Sequence, residues 1–254
     1  MKRTDYHIRS SSFGRALCFA VLADLHGQSP SATLDILRRE KPDYILMPGD
    51  IFELLDGTKD EKNENGFRLL REASRLAPIL YSIGNHENGG TGSWKPNWQF
   101  KIGQEKPITA ENREKIREHG AIILDDSFVQ MDGIAFGGLT SGLSRDAHLP
   151  NTAWLSDFCR QNTARVLLCH HPEYYTRYLR DLPIDLIVSG HAHGGQWRIF
   201  GRGVFAPGQG IFPKYTSGVH DGRFVISTGL KRSAKIPRIF NEPEVVFVHI
   251  EPET

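Results

Sequence analysis

The sequence predicts an α/β fold in which two mixed β-sheets stack on each other and helices cover their outer faces. In the first part of the chain, short apolar runs typical of buried strands alternate with stretches typical of helices. The last part carries strand-like runs separated by turns. No linker-like segment divides the 254 residues. We therefore expect one domain over residues 16–254, preceded by a flexible basic tail over residues 1–15.

Helix start and stop signals locate the individual helices. Ser29 and Pro30 can begin a helix that ends near residue 40, because serine caps helices and proline fits the first turn. Further helices are expected at about residues 66–76, 109–119 and 152–161, with a short one after Pro172. A hairpin is expected at Asp132 and Gly133, and later strands at residues 196–200, 223–228 and 245–250.

Composition excludes several classes of protein. The formal net charge is +1, which gives no global case for a nucleic-acid partner. Three cysteines without a C-x-x-C pattern argue against a disulfide framework and fit a reducing compartment, so a cytoplasmic location is expected. No apolar run approaches the ~18 residues of a membrane span. The four cations Lys2, Arg3, Arg9 and Arg15 leave peripheral contact with the inner membrane face as an alternative to a solvated tail.

Residues with metal-ligand chemistry follow five strand-like runs at the point where each run ends. They are Asp24 and His26, then Asp50, then Asn85 and His86, then His170, and last His191 and His193. Open α/β sheets bind their ligands at the carboxyl ends of strands. Carboxylate, imidazole and amide groups without thiolate suit manganese, iron or zinc better than copper. The pattern therefore indicates a metal centre assembled from distant parts of the chain.

The order of these motifs resembles that of the calcineurin-like metallophosphoesterases. That family's pattern is Asp-x-His, Gly-Asp, Gly-Asn-His-Asp/Glu, His and Gly-His-x-His, and every part of it is present between residues 24 and 193. The resemblance implies a four-layer α-β-β-α sandwich. Residues 212–215, 225–229, 237–238 and 243–244 also resemble a bacterial branch of membrane- or wall-associated phosphodiesterases, related to lipid-sugar pyrophosphatases of the UDP-diacylglucosamine type.

The resemblance also implies a ligand set for two divalent ions, with Mn²⁺ favoured and Fe²⁺ or Zn²⁺ as alternatives. One ion would take Asp24, His26, Asp50 and His193, and the other Asp50, Asn85, His170 and His191. Asp50 bridges because its carboxylate has two oxygens. Paired ions can bind a phosphoryl oxygen and lower the pKa of a shared water, and the resulting hydroxide would attack phosphorus in line.

Three residues near this ligand set have other expected roles. By the resemblance, His86 faces the phosphate and stabilises or protonates the departing oxygen, so the catalytic set is His86, Asp50 and Asn85. Glu87 has two open alternatives, namely orienting His86 or capping the next turn. His171 is expected to support the ligands or lie at the surface rather than bind metal.

Missing elements narrow the class of phosphoesterase. The Asp-Arg-Gly element of serine/threonine protein phosphatases does not follow Asp50, and Glu53 stands where purple acid phosphatases have a tyrosine ligand. The expected activity is hydrolysis of a nucleotide-linked or lipid-linked phosphodiester or pyrophosphate. The alternatives are a broad phosphomonoesterase or nuclease with the same centre, and a non-catalytic interaction module, which the intact ligand set disfavours.

A basic segment after residue 229 is a candidate for gripping a second phosphate. Arg238 could supply a bidentate fork, with Lys231 and Arg232 nearby, although a solvated basic loop is the alternative. Trp94 lies in a long loop that could face the substrate or pack over the sheet edge. Beyond the phosphate ester substrate, we expect no specific nucleic-acid partner and no obligate protein partner.

Overall fold

A computed structural model describes residues 1–53, 61–88, 108–141, 150–206, 209–232 and 237–253. The α-helices are α1 (Ser31–Glu40), α2 (Glu61–Ala73), α3 (Ala110–Glu118) and α4 (Leu155–Cys159), with a π-helix at Tyr175–Leu179 and a 3-10 turn at His193–Gly195. The strands are β1 (Lys2–Ser10), β2 (Leu17–Val21), β3 (Tyr44–Met47), β4 (Ile79–Ser82), β5 (Ala121–Leu124), β6 (Ser127–Met131), β7 (Ile134–Leu139), β8 (Ala164–Cys169), β9 (Leu186–Ser189), β10 (Arg198–Ile199), β11 (Arg202–Gly203), β12 (Phe205–Ala206), β13 (Gly210–Ile211), β14 (Gly218–His220), β15 (Phe224–Ile226) and β16 (Glu244–Pro252).

Twelve of these strands form two mixed six-stranded sheets, as the sequence predicts, and β10 to β13 form two separate two-stranded sheets. The first has the order β1-β16-β2-β3-β4-β5 and the second the order β14-β15-β9-β8-β7-β6. In the first sheet β2 to β5 are parallel and β16 runs antiparallel to β2. In the second sheet β7, β8, β9 and β15 are parallel, while β6 and β14 are antiparallel at the edges.

Three apolar clusters hold the layers together and define the four-layer sandwich. Side chains alternate along β2, so that Phe19 and Val21 point between the sheets while Ala20 and Leu22 point toward the helices. Helices α1, α2 and α3 pack Leu37, Leu70 and Ile116 on the outer face of the first sheet. Helix α4 and the π-helix pack Phe158 and Leu179 on the outer face of the second sheet. The fold class expected from the sequence is confirmed.

The predicted helices are present, with boundaries that differ in informative ways. Thr109 caps α3, since its side-chain oxygen accepts a hydrogen bond from the Asn112 amide. Helix α2 begins at Glu61, earlier than the predicted start at Gly66. Gly66 is required inside the helix by packing, because a Cβ there would meet the Phe52 ring. The hairpin at Asp132 and Gly133 joins β6 to β7 as expected.

The expectation of a flexible tail over residues 1–15 is wrong. Residues 2–10 form β1, which pairs in parallel with β16 along its whole length, from Lys2 opposite Glu244 to Ser10 opposite Pro252. Ile8 is buried between the sheets, and Tyr6 packs against the same cluster. The strand forms because its alternating inward residues extend the inter-sheet core, a pattern that the basic composition obscures.

The N-terminal cations are paired with carboxylates of the folded domain. Lys2 Nζ lies 3.6 Å from Glu244, and an Arg3 guanidinium nitrogen lies 2.8 Å from Glu40. Arg9 and Arg15 lie 3.5 and 3.0 Å from Glu251 and Asp43. Their positive charges are therefore partly neutralised by neighbours within the protein.

The carboxyl ends of the central strands meet at one edge of the sandwich. The Leu230 amide donates to the Ala23 carbonyl at 2.9 Å, and the Ser141 amide donates to the Ile83 carbonyl at 3.0 Å. The Gly190 amide donates to the His170 carbonyl at 3.2 Å. These bonds join the loops after strands of both sheets. No helix within the described residues is long and apolar enough to cross a membrane.

Substitution of Ile8 tests whether β1 is part of the folded domain. Ile8→Ala should lower the free energy of unfolding by about 2–4 kcal/mol, because it removes buried methyl groups from the inter-sheet core. Substitution of the neighbouring Arg9, whose side chain is mostly exposed, is the control. Arg9→Ala should change the free energy of unfolding little. Urea unfolding measures the free energy of unfolding of both variants. Small and equal losses would indicate that residues 2–10 are a flexible tail rather than a strand of the folded domain.

Candidate metal centre

Five of the seven predicted metal ligands have left-handed backbone conformations. The φ angles of Asp24, His26, Asp50, His191 and His193 are 55°, 49°, 55°, 65° and 45°. This region of φ is unfavourable for residues with a side chain, and such strain persists where the surrounding structure enforces it. The strain turns each side chain out of its strand end toward a common centre.

Two glycines allow the loops after β3 and β4 to touch. Gly49 has a φ of 101°, and a Cβ there would lie 2.5 Å from the Gly84 amide nitrogen. A Cβ on Gly84 would overlap the Asp50 carboxylate. The Gly-Asp and Gly-Asn-His motifs therefore need glycine because Asp50 and Asn85 sit on backbones in direct contact.

A first group of donor atoms consists of Asp24, His26 and His193. His26 Nε2 lies 3.9 Å from Asp24 Oδ1, and His193 Nε2 lies 3.9 Å from the same oxygen. The two imidazole rings stack with centroids 5.2 Å apart. The Asp24 carboxylate is held from behind by the His191 amide at 3.0 Å.

A second group consists of Asp50, His170 and His191. His170 Nε2 lies 3.1 Å from Asp50 Oδ2 and 3.2 Å from His191 Nδ1. It also lies 3.0 Å from Asn85 Oδ1, which brings the amide oxygen to the same point. Asp50 Oδ2 stands 3.8 Å from His26 Nε2 of the first group, so this carboxylate lies between the two groups.

Hydrogen bonds fix which nitrogen of each imidazole faces the centre. His26 Nδ1 is 3.0 Å from Glu53 Oε2, and His170 Nδ1 is 2.9 Å from the Pro48 carbonyl. Because these acceptors hold the Nδ1 side of each ring, Nε2 of both rings faces the centre. Burial lowers the pKa of His26 to about 4, which keeps the ring neutral as a metal ligand requires.

The pKa of His170 shifts in the opposite direction to that of His26, because His170 lies next to the charged Asp50. Burial disfavours the charged form of His170, yet the Asp50 carboxylate raises the pKa of this histidine to about 9. Burial raises the pKa of Asp24 to about 7. Burial also holds the pKa values of His191 and His193 well below the ordinary value.

The donor atoms fit divalent cations. Atoms bound to one ion at about 2.0–2.2 Å stand roughly 3–4 Å apart, as the atoms of both groups do. His26 Nε2 is buried and has no hydrogen-bond partner among the described residues. No thiol takes part in either group, and the Cys169 thiol instead donates to the His171 carbonyl at 3.4 Å. The nitrogen and oxygen donors suit manganese, iron or zinc.

Glu53 and Glu87 have structural roles that the sequence did not reveal. Glu53 orients His26, and this contact with His26 and the neighbouring His86 outweighs burial and lowers the pKa of Glu53 to about 2. Two roles are expected of Glu87, orienting His86 or capping the next turn, and neither is seen within the described residues. Its buried carboxylate instead accepts hydrogen bonds from five donors, the amides of Asp50, Ile51, Phe52 and Gly84 and the Tyr81 hydroxyl, at 2.6–3.1 Å.

His86 lies at the open side of the centre. Its amide donates to Asp50 Oδ1 at 2.9 Å, and its ring meets the His26 ring edge-on at 4.4 Å. Its side chain is 23% exposed, whereas those of His26 and Asp50 are 1% exposed. His171 is buried behind the ligands, with its ring 4.2 Å from that of His191 and its Nε2 2.6 Å from Ser141 Oγ.

The predicted substrate-binding residues are only partly brought to the centre. Arg238 donates to the Thr228 carbonyl at 2.7 Å, and its other terminal nitrogen is buried without a partner among the described residues. Burial lowers the pKa of Arg238, while its attraction to Asp24 opposes that shift. Lys231 Nζ lies 3.9 Å from Glu53, whereas Arg232 is exposed. Trp94 lies outside the described residues.

The carboxyl ends of strands from two mixed sheets thus bring together groups of carboxylate and imidazole donors that are suited to hold divalent cations. The family model of the calcineurin-like phosphoesterases matches residues 18–195. The chain belongs to this family, which uses a dinuclear divalent metal centre. The resemblance noted in the sequence is confirmed at the level of the family.

Individual relatives are more distant. The chain is 28% identical to the phosphodiesterase YaeI of Escherichia coli over 187 residues, 70% of this chain and 61% of YaeI. It is 26% identical to the metallophosphoesterase Cj0846 of Campylobacter jejuni over 179 residues, 68% of this chain and 41% of Cj0846. A crystal structure of TT1561 from Thermus thermophilus covers 69% of this chain and 82% of its own, with 12% identity and a TM-score of 0.45. The chain thus spans only part of the length of these two curated relatives.

Glu87→Gln tests whether the buried carboxylate holds the two loops together. A glutamine has one acceptor oxygen, so its NH₂ group would oppose at least one of the four backbone amides. The free energy of unfolding should fall by about 2–3 kcal/mol, since a buried unsatisfied donor costs about 1–3 kcal/mol and more beside a charge.

A matched control is Glu111→Gln, in which the carboxylate lies on the exposed face of α3 and pairs with Lys115. It should leave the midpoint of urea unfolding unchanged. Equal stability of the two variants would contradict the anchoring role of Glu87.

Proposed function

We propose that this chain hydrolyses a phosphodiester or pyrophosphate bond at a centre of two divalent ions. One ion would be held by Asp24, His26, Asp50 and His193, and the other by Asp50, Asn85, His170 and His191. The observation that carries this proposal is the position of Asp50 Oδ2, which stands 3.1 Å from His170 Nε2 and 3.8 Å from His26 Nε2. A carboxylate between two donor groups is suited to bridge two cations.

When bound, a pair of divalent cations polarises phosphoryl oxygens and activates water at neutral pH. The protein's own contribution is to aim its imidazoles, because Glu53 and the Pro48 carbonyl hold Nδ1 of His26 and His170 and turn Nε2 of each ring toward the centre. Asn85 adds a neutral oxygen, which leaves the centre more positive than another carboxylate would. Mn²⁺ is the ion we favour, with Fe²⁺ and Zn²⁺ as alternatives.

His86 is proposed to assist the leaving group. It is the most exposed of the imidazoles around Asp50, and its ring stands edge-on to that of His26. It belongs to neither the Asp24 group nor the Asp50 group, but it lies with His26 and Glu53 in a further group of donor atoms. Its amide bond to Asp50 Oδ1 ties its position to the bridging carboxylate. A histidine so held can donate a proton to a departing oxygen.

A diester or pyrophosphate is favoured over a monoester by the cation beside the centre. Arg238 is half-buried and close enough to Asp24 to interact with its charge, and one of its terminal nitrogens has no hydrogen-bond partner among the described residues. A second phosphate or an anionic head group would supply the missing acceptor. YaeI, named as a phosphodiesterase, supports the same preference. The lipid-sugar pyrophosphatase branch and a cytoplasmic location remain proposals that rest on the sequence.

Hydrolysis of matched substrates tests the proposed activity. With Mn²⁺-loaded protein, kcat/KM should be higher for bis(p-nitrophenyl) phosphate than for p-nitrophenyl phosphate. Arg238→Ala should raise KM for a nucleotide diphosphate-linked substrate far more than for the small diester, because only the larger substrate offers a second phosphate. Arg9→Ala, on the far edge strand β1, serves as the control and should change neither value.

A preference for the monoester would assign the chain to the broad phosphomonoesterases. If Arg238→Ala changed KM equally for both substrates, Arg238 would not bind the second phosphate. The proposed diesterase activity would be unaffected by that result.

Substitution of His86 tests the leaving-group role. His86→Ala should lower kcat by ~10²–10⁴-fold, the usual contribution of a positioned acid, while the metal content stays near that of the wild type. The loss should shrink as the pKa of the leaving alcohol falls, since a good leaving group needs no proton. His7→Ala, which removes an exposed histidine on β1, should alter neither kcat nor metal content. Loss of metal from His86→Ala, or an equal loss of kcat for every leaving group, would give His86 another role.

A further inference from the structure

The exposed apolar side chains are concentrated in one stretch of the chain. Within the described residues, every large hydrophobic side chain that is exposed lies between residues 197 and 240. Three phenylalanines stand out, since Phe200, Phe212 and Phe240 are 101%, 75% and 88% exposed. Single exposed apolar residues are ordinary, but a cluster of aromatics marks an interaction surface.

All three phenylalanines are held in left-handed backbone conformations. Their φ angles are 50°, 51° and 52°. A bulky residue with positive φ is a true outlier, and the strain needs to be offset by the surrounding structure. Each phenylalanine is thus fixed outward at a turn, where glycine would be the less strained choice.

Backbone hydrogen bonds connect the three turns through a small platform, formed by the backbone of Trp197, Val204 and Ile239. Phe200 sits between β10 and β11, whose residues pair as a hairpin. The Phe212 amide donates to the Val204 carbonyl at 2.8 Å, and the Val204 amide donates to the Trp197 carbonyl at 2.9 Å. Trp197 also bridges to Ile239, the residue before Phe240. The three turns therefore belong to one connected network of backbone hydrogen bonds.

This platform is continuous with the candidate metal centre. The Gly195 amide donates to the Ala192 carbonyl at 2.8 Å, within the turn that carries His193. The Asn241 side chain, next to Phe240, donates to the His193 carbonyl at 2.7 Å. A partner that binds to the three phenylalanines would therefore lie beside the candidate metal centre.

The charge of the same stretch is strongly positive. Residues 191–241 contain eight lysines and arginines and a single acidic residue, Asp221, on a chain whose net charge is +1. Arg202 follows the Phe200 turn and Lys214 follows Phe212, and both side chains are exposed. The apolar turns are thus flanked by cations.

We infer that Phe200, Phe212 and Phe240, with Arg202 and Lys214, form a docking surface for an anionic lipid bilayer. Aromatic side chains at turn tips enter the boundary between headgroups and acyl chains, while neighbouring cations attract anionic headgroups. The pairing of N-terminal cations with carboxylates makes β1 a poorer candidate for the same contact. Docking would present the metal centre to substrates held in the membrane, although vesicle binding itself does not depend on the proposed hydrolysis.

Co-sedimentation with large vesicles, without substrate, tests the inference. The purified chain should bind vesicles of equal phosphatidylcholine and phosphatidylglycerol, and bind vesicles of phosphatidylcholine alone much more weakly. The triple variant Phe200→Ser, Phe212→Ser, Phe240→Ser should lose roughly ten-fold in partition coefficient for each phenylalanine removed. Phe200→Ser alone changes a fully exposed side chain, so it keeps the test valid if the triple variant folds poorly.

The cations are tested against a control of equal charge. Arg202→Gln with Lys214→Gln should weaken binding to the anionic vesicles by roughly five-fold for each cation. Arg9→Gln with Arg39→Gln removes two exposed cations from β1 and α1 and should leave binding unchanged.

Three results would overturn the inference. They are wild-type protein that does not bind anionic vesicles, a triple phenylalanine variant that binds as tightly as wild type, and equal weakening by the two charge variants. Analytical ultracentrifugation adds a further check. A dimer that the phenylalanine substitutions dissociate would assign the surface to a second copy of the chain.

Discussion

The arrangement of the centre depends on the buried carboxylate of Glu87. Its Oε2 accepts hydrogen bonds from the amides of Asp50 and Gly84, which belong to the loops after two different strands. Its other oxygen accepts from Ile51, Phe52 and the Tyr81 hydroxyl. Burial and the nearby Asp50 charge raise the pKa of Glu87, and these five donors offset the cost of burying its charge. One side chain thus sets the separation between Asp50 and the Asn85-His86 pair.

The rest of the fold supplies the rigidity that this arrangement needs. Ligands with positive φ, such as Asp24 and Asp50, are strained, and that strain persists only if the strands that carry them cannot shift. Strands β2, β3 and β4 are buried almost throughout, packed by helices on one face and by the second sheet on the other. The apolar layers therefore support the site by fixing the strands, since the strained loops that carry the donor atoms lie at the ends of those strands.

Much of this structure could be predicted from the sequence, because the ligand motifs and the strands before them are local patterns. The pairing of Asp50 with His170 follows from motifs whose order identifies the family. The role of Glu87 could not be predicted, since its partners are 36 or 37 residues away at Asp50 and Ile51 and appear only when two loops touch. The strand at Lys2–Ser10 could not be predicted because only two of its side chains, Tyr6 and Ile8, form the inward apolar pattern, and basic residues surround them. Its partner β16 also lies at the other end of the chain.

Anomalous X-ray scattering from crystals of Mn²⁺-loaded protein tests whether Asp50 joins two metal ions. Two peaks about 3.5–4 Å apart are expected. One should be bounded by His26 and His193, the other by His170 and His191, with the Asp50 carboxylate between them. A single peak, or two peaks that do not share Asp50, would show that Asp50 does not bridge two ions.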